Sequence, residues 1–411
     1  MDTLYHIHNT SDDAKVRSAI RRLTLVNFRN YKYLRLSIDK PFVVLSGENG
    51  SGKTNVLEAV SFLTQGRGLR RAKLSEIKTF DFLAAQQTTP TFINNAGWAV
   101  SALVQQGNEE INIGTAVETQ LRESNYNEIK EIERRIVHVD NQKLASQNEL
   151  GKYLPMIWIT PQMDRLFLGG AQHRRHFLDR IVATFDIEHM RRLSAFDNVY
   201  RQWMQVLKSG KLNSAWLSSL EEQIAGLGVA IAAARREQVH KLNTFMEKNP
   251  DDVFPNAVLQ LNGTIEAMLD QKAAVYVEDF YRESLIKLRQ NALYNNANDE
   301  INKTDLIAIY LKKNVPANLC STGEQKALLL SIALAQAKFL SAHRGIPPIL
   351  LLDEIAAHLD DFKRDALLAK IADLKTQTWL TTTNAHEFDF IRSTAQFFEI
   401  QNNQISESFS A

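Results

Sequence analysis

Gly47-Glu48-Asn49-Gly50-Ser51-Gly52-Lys53-Thr54 has the spacing G-x-x-x-x-G-K-T of a loop that wraps phosphate groups. Its glycines let successive backbone N–H groups curl around anionic oxygens, and a following helix N-terminus adds positive potential. Lys53 would neutralise the β and γ phosphates of a nucleotide, and Thr54 would reach a magnesium ion. The chain carries only 17 glycines, yet Gly47, Gly50, Gly52, Gly66 and Gly68 all fall in one short stretch.

A second pair of blocks lies near the far end: Ser321-Thr322-Gly323-Glu324-Gln325, then Ile349-Leu350-Leu351-Leu352-Asp353-Glu354. Apolar residues ending in two carboxylates have the form of a buried parallel strand, which presents ligands at its C-terminal end. Asp353 would hold magnesium, directly or through water, and Glu354 would orient and deprotonate an attacking water. Ser321 with Glu324 fits a capping box for the helical pattern from Ala327 to Leu340. It also fits an anion site, because a capped helix N-terminus attracts negative charge.

The elements needed to position these groups can be read around them. Phe42 to Leu45 reads as the strand before the phosphate loop and Asn55 to Leu63 as the helix after it. Leu23 to Phe28 and Leu34 to Ile38 alternate apolar and polar residues about Arg29-Asn30-Tyr31, which predicts a hairpin. Trp98 to Val104, Ile111 to Val117 and Ile132 to Val139 predict further strands of an antiparallel layer, with a turn at Asp140-Asn141. Met156 to Thr160 reads as a short strand ending at Pro161-Gln162. From about Gln172 to Arg289 apolar residues such as Phe177, Ile181, Val182 and Phe185 recur at helical spacing, interrupted only by Pro250 and Pro255. Residues 291–303 are polar and read as a loop. The expected organisation is a flexible tail over 1–20, an N-terminal part of the head over 21–165, a helical lobe over 166–300, and the remainder of the head over 301–411. The fold class is α/β: a P-loop ABC-type ATPase head with an antiparallel β layer and an inserted helical lobe.

Composition narrows the function. Among 411 residues, 48 basic side chains face 47 acidic ones, so nucleic acid would have to be met by local patches. A single cysteine, Cys320, excludes an intramolecular disulfide and a cysteine-rich metal site and fits a reducing compartment. The first twenty residues lack the apolar core of a signal peptide, and Ala225 to Ala234 is far shorter than the about 20 residues a membrane span needs. A cytoplasmic protein without a membrane partner is expected. Asn302-Lys303-Thr304-Asp305 spells the guanine-reading N-K-x-D of GTPases, but no apolar strand precedes it and no strand carries D-x-x-G. A transporter ATPase would place its signature much closer to its phosphate loop and has no use for the helical lobe.

Together the blocks resemble the RecF family, related to the heads of SMC proteins. The resemblance rests on Asn27-Phe-Arg-Asn-Tyr31, the phosphate loop continuing as Asn55-Val-Leu-Glu58-Ala, Gly66-Arg67, and Thr160-Pro-Gln-Met-Asp164. Arg174-Arg175-His-Phe-Leu-Asp179, the Ser321 block and the Asp353 strand complete it, from about Leu23 to the end. It implies an ATPase with ATP and Mg2+ as cofactors, an ATP-dependent homodimer, and a role in DNA replication, DNA damage repair and the SOS response. RecO and RecR would be partners in placing RecA on gapped DNA. Lys53, Glu354 and Gln162 would be catalytic, with Gln162 also linking magnesium, held by Thr54 and Asp353, to the lobe. Ser321, Gly323 and Gln325 would meet the nucleotide of the opposite subunit, and Ala357-His-Leu-Asp360 would be the D-loop. The stretch Thr381-Thr-Thr-Asn384 departs from the family pattern, so the switch position falls to Asn384 first and His386 second. Sequence-independent contact with double-stranded DNA and single-strand/double-strand junctions is expected at Arg67, Arg70, Arg71 and Lys73. Lys78 extends that run, and the doublets Arg174-Arg175 and Arg191-Arg192 stand in reserve. An ATP-driven dimerisation switch acting mainly on protein partners is the alternative.

Overall fold

The computed structural model describes residues 18–78, 97–123, 129–209, 214–292, 303–355 and 359–407. They divide into two compact units, residues 1–161 with 340–411, and residues 162–339.

The first unit contains two six-stranded sheets. One is mixed, in the order Gln404–Glu407, Ala395–Gln401, Phe42–Ser46, Thr378–Thr382, Ile349–Leu352, Met156–Ile159. Its five strands after the edge strand Gln404–Glu407 are mutually parallel, so all of them run toward one end of the sheet. Phe42–Ser46 lies between two neighbours and is buried throughout, which is why its sequence is a continuous apolar run rather than an alternating one. The other sheet is antiparallel, in the order Tyr31–Ser37, Ser18–Phe28, Ala99–Gln106, Glu109–Glu123, Ile129–Val139, Gln142–Lys143. A T-shaped cluster of Phe28, Phe62 and Trp98 packs this layer against the end of helix Lys53–Ser61.

The first strand begins earlier than expected. Ser18, Ala19 and Ile20 are buried in Ser18–Phe28, so the tail expected over 1–20 is shortened, and residues 1–17 lie outside the described set. A bulge between Ile20 and Arg22 interrupts regular pairing next to Ile20. The Gln377 side chain takes both backbone groups of Ile20: its N–H donates to Oε1 at 2.9 Å, and Nε2 donates to its carbonyl at 3.0 Å.

In the second unit, helices Ala171–Phe185, His189–Ser209, Ser214–Lys248 and Ala274–Ala292 carry the expected apolar spacing. Trp203, Leu217, Ile224, Val277, Tyr281 and Leu285 form the heart of its core. The unit is not wholly helical. Ala257–Asn262, Asp305–Tyr310 and Val315–Pro316 form a three-stranded antiparallel sheet. The helical lobe expected over 166–300 thus also carries a sheet, and its unit runs on to 339. The strand Ala257–Asn262 is short, alternating and bracketed by Pro255 and Gly263, and its partner comes from beyond the polar segment 291–303. That pairing brings residues 303–339, expected within the head, into the second unit.

Candidate nucleotide site

In the first unit, three parallel strands deliver the chemistry at their C-terminal ends, where open α/β sheets place ligands. Phe42–Ser46 leads into the phosphate loop, Ile349–Leu352 into Asp353 and Glu354, and Thr378–Thr382 into Asn384. The loop needs its first and last fixed glycines for close approach. At Gly47, with φ 149°, an added Cβ would collide with the Ile400 carbonyl oxygen. At Gly52, with φ 111°, it would come within 2.7 Å of the Tyr31 hydroxyl. Glu48, Asn49 and Gly50 are exposed at the rim of the loop.

Lys53 opens helix Lys53–Ser61 and is buried. Its ammonium folds back over the loop, donating to the Gly47 carbonyl at 2.6 Å and the Glu48 carbonyl at 2.8 Å. Burial lowers its pKa, and Glu354 and then Asp353 oppose that shift. The cation is therefore held over the loop by geometry and by facing carboxylates. Thr54 donates its hydroxyl to Asp353 Oδ1 at 3.0 Å. A hydroxyl and a carboxylate oxygen side by side are hard oxygen donors of the kind magnesium takes while keeping several waters. The residues present thus fit that ion.

Thr381, which sequence reasoning passed over, organises the acidic pair. Its hydroxyl donates to Asp353 Oδ1 at 2.7 Å and accepts the Glu354 N–H at 2.8 Å. Glu354 sits at φ 50°, a left-handed conformation that costs a non-glycine residue about 1–3 kcal/mol and persists only where its surroundings impose it. The only sequence signal for Thr381 was its place at the end of a strand close to the acidic one. Asn384 caps the 3-10 turn Ala385–Ile391, accepting the His386 N–H at 3.1 Å. His386 is exposed and pairs with Asp389 at 3.2 Å, so Asn384 is the nearer of the two to the strand end.

Behind the loop, Glu58 is fully buried on the same helix. Arg29 grips it through two hydrogen bonds of 2.7 and 2.8 Å, and Arg70 adds a third at 3.2 Å. Arg70 also donates to Asn55 at 2.7 Å. Of the residues expected to face DNA, Arg70 is thus also tied to the phosphate-loop helix, although it is exposed like Arg67, Arg71, Lys73 and Lys78. Arg135, on strand Ile129–Val139, donates to the carbonyls of Phe62, Thr64 and Gly66 just past that helix. Burial lowers its pKa to about 9. It had no sequence signal beyond being a cation in an alternating strand.

Most of the remaining expected residues belong to the second unit. Gln162 is exposed on the 3-10 turn Pro161–Arg165. Ser321 and Gly323 are exposed at the start of helix Thr322–Arg344. Glu324 closes the capping box: its Oε2 accepts the Ser321 N–H at 3.1 Å, and Ser321 Oγ accepts the Glu324 N–H at 3.4 Å. Lys313 pairs with Glu324 at 2.5 Å, and this hydrogen bond lowers the Glu324 pKa. Gln325, expected to meet nucleotide, is 3% exposed and donates to the Cys320 carbonyl at 2.9 Å, so it holds the turn before the signature instead. The reserve doublets are engaged too. Arg174 makes a two-pronged bond to Asp305 at 2.7 and 2.8 Å, Arg175 donates to the Thr304 carbonyl, Arg191 pairs with Glu188, and Arg192 pairs with Asp186. Of the expected D-loop, residues 356–358 lie outside the described set, and Asp360 caps helix Asp361–Asp373 in the first unit. Among the described residues, no helix is long and apolar enough to cross a membrane.

Comparison with known proteins gives a consistent result. The family model of the RecF/RecN/SMC N terminal domain matches residues 19–406. A DNA replication and repair protein RecF of Brucella abortus is 39% identical over 408 residues, covering 99% of this chain and 100% of that one. One from Allorhizobium ampelinum is 37% identical over 392 residues, covering 95% and 99%. A solved structure of the recombination mediator protein RecF-ATPrS in the RecFOR pathway superposes with a TM-score of 0.78 at 20% identity, covering 96% of this chain and 99% of that one, which shows the shared fold.

Proposed function

The chain belongs to the RecF family, and on that premise we propose that it is an ATP-binding DNA repair and replication protein that hydrolyses ATP slowly and in response to DNA. The observation that carries the reading is the convergence of Lys53, Thr54, Asp353 and Glu354 at the strand ends, locked by the 3.0 Å Thr54–Asp353 bond. Lys53 would leave its two loop carbonyls for the phosphate oxygens. Thr54 and Asp353 would hold Mg2+, which when bound offsets the negative charge of the phosphates. Glu354 would accept the proton of the attacking water, and Gln162 keeps, on the family resemblance, its expected catalytic role. The exposed Ser321 and Gly323 would receive the γ-phosphate held by a second copy, so that ATP makes the homodimer.

Sequence-independent DNA binding follows from the exposed Arg67, Arg71 and Lys73. Action with RecO and RecR to place RecA on gapped DNA, in the cytoplasm, follows from the family. Sedimentation of the full chain with ATP, with and without gapped DNA, tests these steps together. A dimer formed only with ATP and retained on gapped DNA is the expected result. A monomer under every condition would remove the composite site, and an ATP-driven dimer indifferent to DNA would favour a switch acting on protein partners.

A further inference from the structure

Beside the phosphate loop lies an open cleft of about 730 Å³, lined among others by Arg29, Asn30, Asn55, Asn402, Asn403 and Gln404. Its wall is bonded to the loop itself. The Tyr31 hydroxyl donates to the Gly52 carbonyl at 3.2 Å, and Asn30 Nδ2 lies 3.5 Å from the Ser51 carbonyl. A chain of carboxamides then crosses the cleft: Asn55 Nδ2 donates to Asn30 Oδ1 at 2.7 Å, and Asn30 Nδ2 donates to Asn403 Oδ1 at 2.8 Å. It links the phosphate-loop helix to the turn of the last hairpin, some 350 residues away in sequence.

That turn is built to hold amides in fixed positions. Gln401 pairs with Gln404, and the two residues between them, Asn402 and Asn403, have φ 48° and 64°. Two successive left-handed residues are the mark of the tight hairpin turn whose twist matches its strands, and asparagine tolerates that conformation. Asn30 is engaged on both sides of the relay. The group facing onward is the Asn403 amide, with its N–H donors and the second lone pair of its oxygen.

We propose that the hairpin turn Asn402-Asn403 reads the base of the bound nucleotide, with Asn403 as the residue that selects adenine over guanine. This rests on the nucleotide reading above. A carboxamide sets a donor beside an acceptor, which matches a ring-nitrogen acceptor beside the exocyclic amine of adenine. Guanine presents two acceptors on the corresponding edge and two donors on its N1 and N2 edge, so it matches a carboxylate better than an amide. Asn55 of the phosphate-loop helix lines the cleft, and Tyr31 in its wall is bonded to the Gly52 carbonyl, which favours a nucleotide base over a base of single-stranded DNA.

The test is calorimetric titration of the full chain with ATP, GTP, inorganic tripolyphosphate and a single-stranded oligonucleotide. Asn403→Gly removes the amide and keeps the left-handed turn. It should weaken ATP by about five- to 150-fold, the worth of one paired amide–adenine contact, and leave tripolyphosphate unchanged. Asn403→Asp keeps the shape and the tolerance for positive φ but offers only acceptors, so the ATP to GTP preference should turn toward GTP. A gain of GTP binding cannot come from misfolding. Equal losses for ATP and tripolyphosphate, an unaltered ATP to GTP ratio in both variants, or a loss confined to the oligonucleotide would each overturn the proposal. Wild-type chain that binds none of the three phosphates would instead overturn the nucleotide reading.

Discussion

Thr381→Val exchanges a hydroxyl for a methyl at nearly constant shape, at a site with no solvent exposure. The hydroxyl makes two bonds, one donated to the Asp353 carboxylate at 2.7 Å and one accepted from the Glu354 N–H at 2.8 Å. A hydrogen bond to a charged group has a net worth of about 1.5–3 kcal/mol, and an orphaned buried N–H costs about 1–3 kcal/mol. The second term falls on Glu354, whose φ of 50° loses its restraint. If the first term is expressed in the transition state, turnover falls by about 10- to 100-fold, since about 1.36 kcal/mol is tenfold in rate. The two terms together make a ground-state cost of about 2.5–6 kcal/mol, which should lower the melting temperature by roughly 5–25 °C in a unit of this size. Phosphate release at saturating ATP and magnesium, measured beside thermal unfolding, reads both quantities. Thr381→Ser should restore both. A variant that melts early yet turns over within about twofold of wild type, well short of the tenfold that one such bond is worth, would refute the idea that Thr381 sets the catalytic geometry.

Glu354→Gln should bind ATP normally, lose on the order of 10²–10⁴ in hydrolysis, and accumulate as an ATP-bound dimer in sedimentation; normal turnover would assign water activation elsewhere. Ser321→Arg should leave ATP affinity intact and abolish the ATP-induced dimer, because the bulky cation stands where the second copy's phosphate would dock. Asp179 is buried, which raises its pKa, but the His189 hydrogen bond and the Arg235 charge outweigh burial and bring it down to about 2. A depressed native pKa contributes stability that is present above the unfolded value and is lost as pH falls from about 4 through about 2, a contribution on the order of 2 kcal/mol. Asp179→Asn should melt earlier at pH 7 and lack that acid-dependent decline in a series of thermal melts. Arg67→Glu with Arg71→Glu should weaken binding to every DNA sequence alike and flatten the log affinity against log salt slope by roughly 0.9 for each phosphate no longer neutralised; an unaltered slope in a fluorescence titration would make the run a solvated face.

The phosphate loop and the acidic strand were legible because each is local: a few residues at fixed spacing, flanked by a strand and a helix whose periods can be counted. The antiparallel layer was legible for the same reason, since Ile132 to Val139 alternates on its own. What escaped depends on pairing between distant segments. Ala257–Asn262 becomes a strand because Asp305–Tyr310 lies beside it, and six residues within a helical stretch give little signal alone. Thr381 matters because its strand lies next to Ile349–Leu352, so its hydroxyl faces Asp353 from the adjacent strand end. Gln325 carries the motif's identity but a structural role, since only burial distinguishes it from the exposed Ser321.

The basic run shows how one local pattern can hold two roles. Glu58 is wholly buried on the phosphate-loop helix, and a lone buried carboxylate would be costly, so it needs cations placed against it. Arg29 reaches it from the N-terminal hairpin with 19% of its side chain exposed, and Arg70 reaches it from the basic run with 34% exposed. The run is therefore anchored at Arg70 to the helix that carries Lys53 and Thr54, although Arg70 is exposed like Arg67 and Arg71. Reversing the charge at Arg70 would place a second carboxylate against Glu58 and strain that helix whether or not DNA is present. Changes at Arg67 and Arg71 leave the Arg29–Glu58–Arg70 cluster whole, so they separate a phosphate contact from a disturbance of the nucleotide loop.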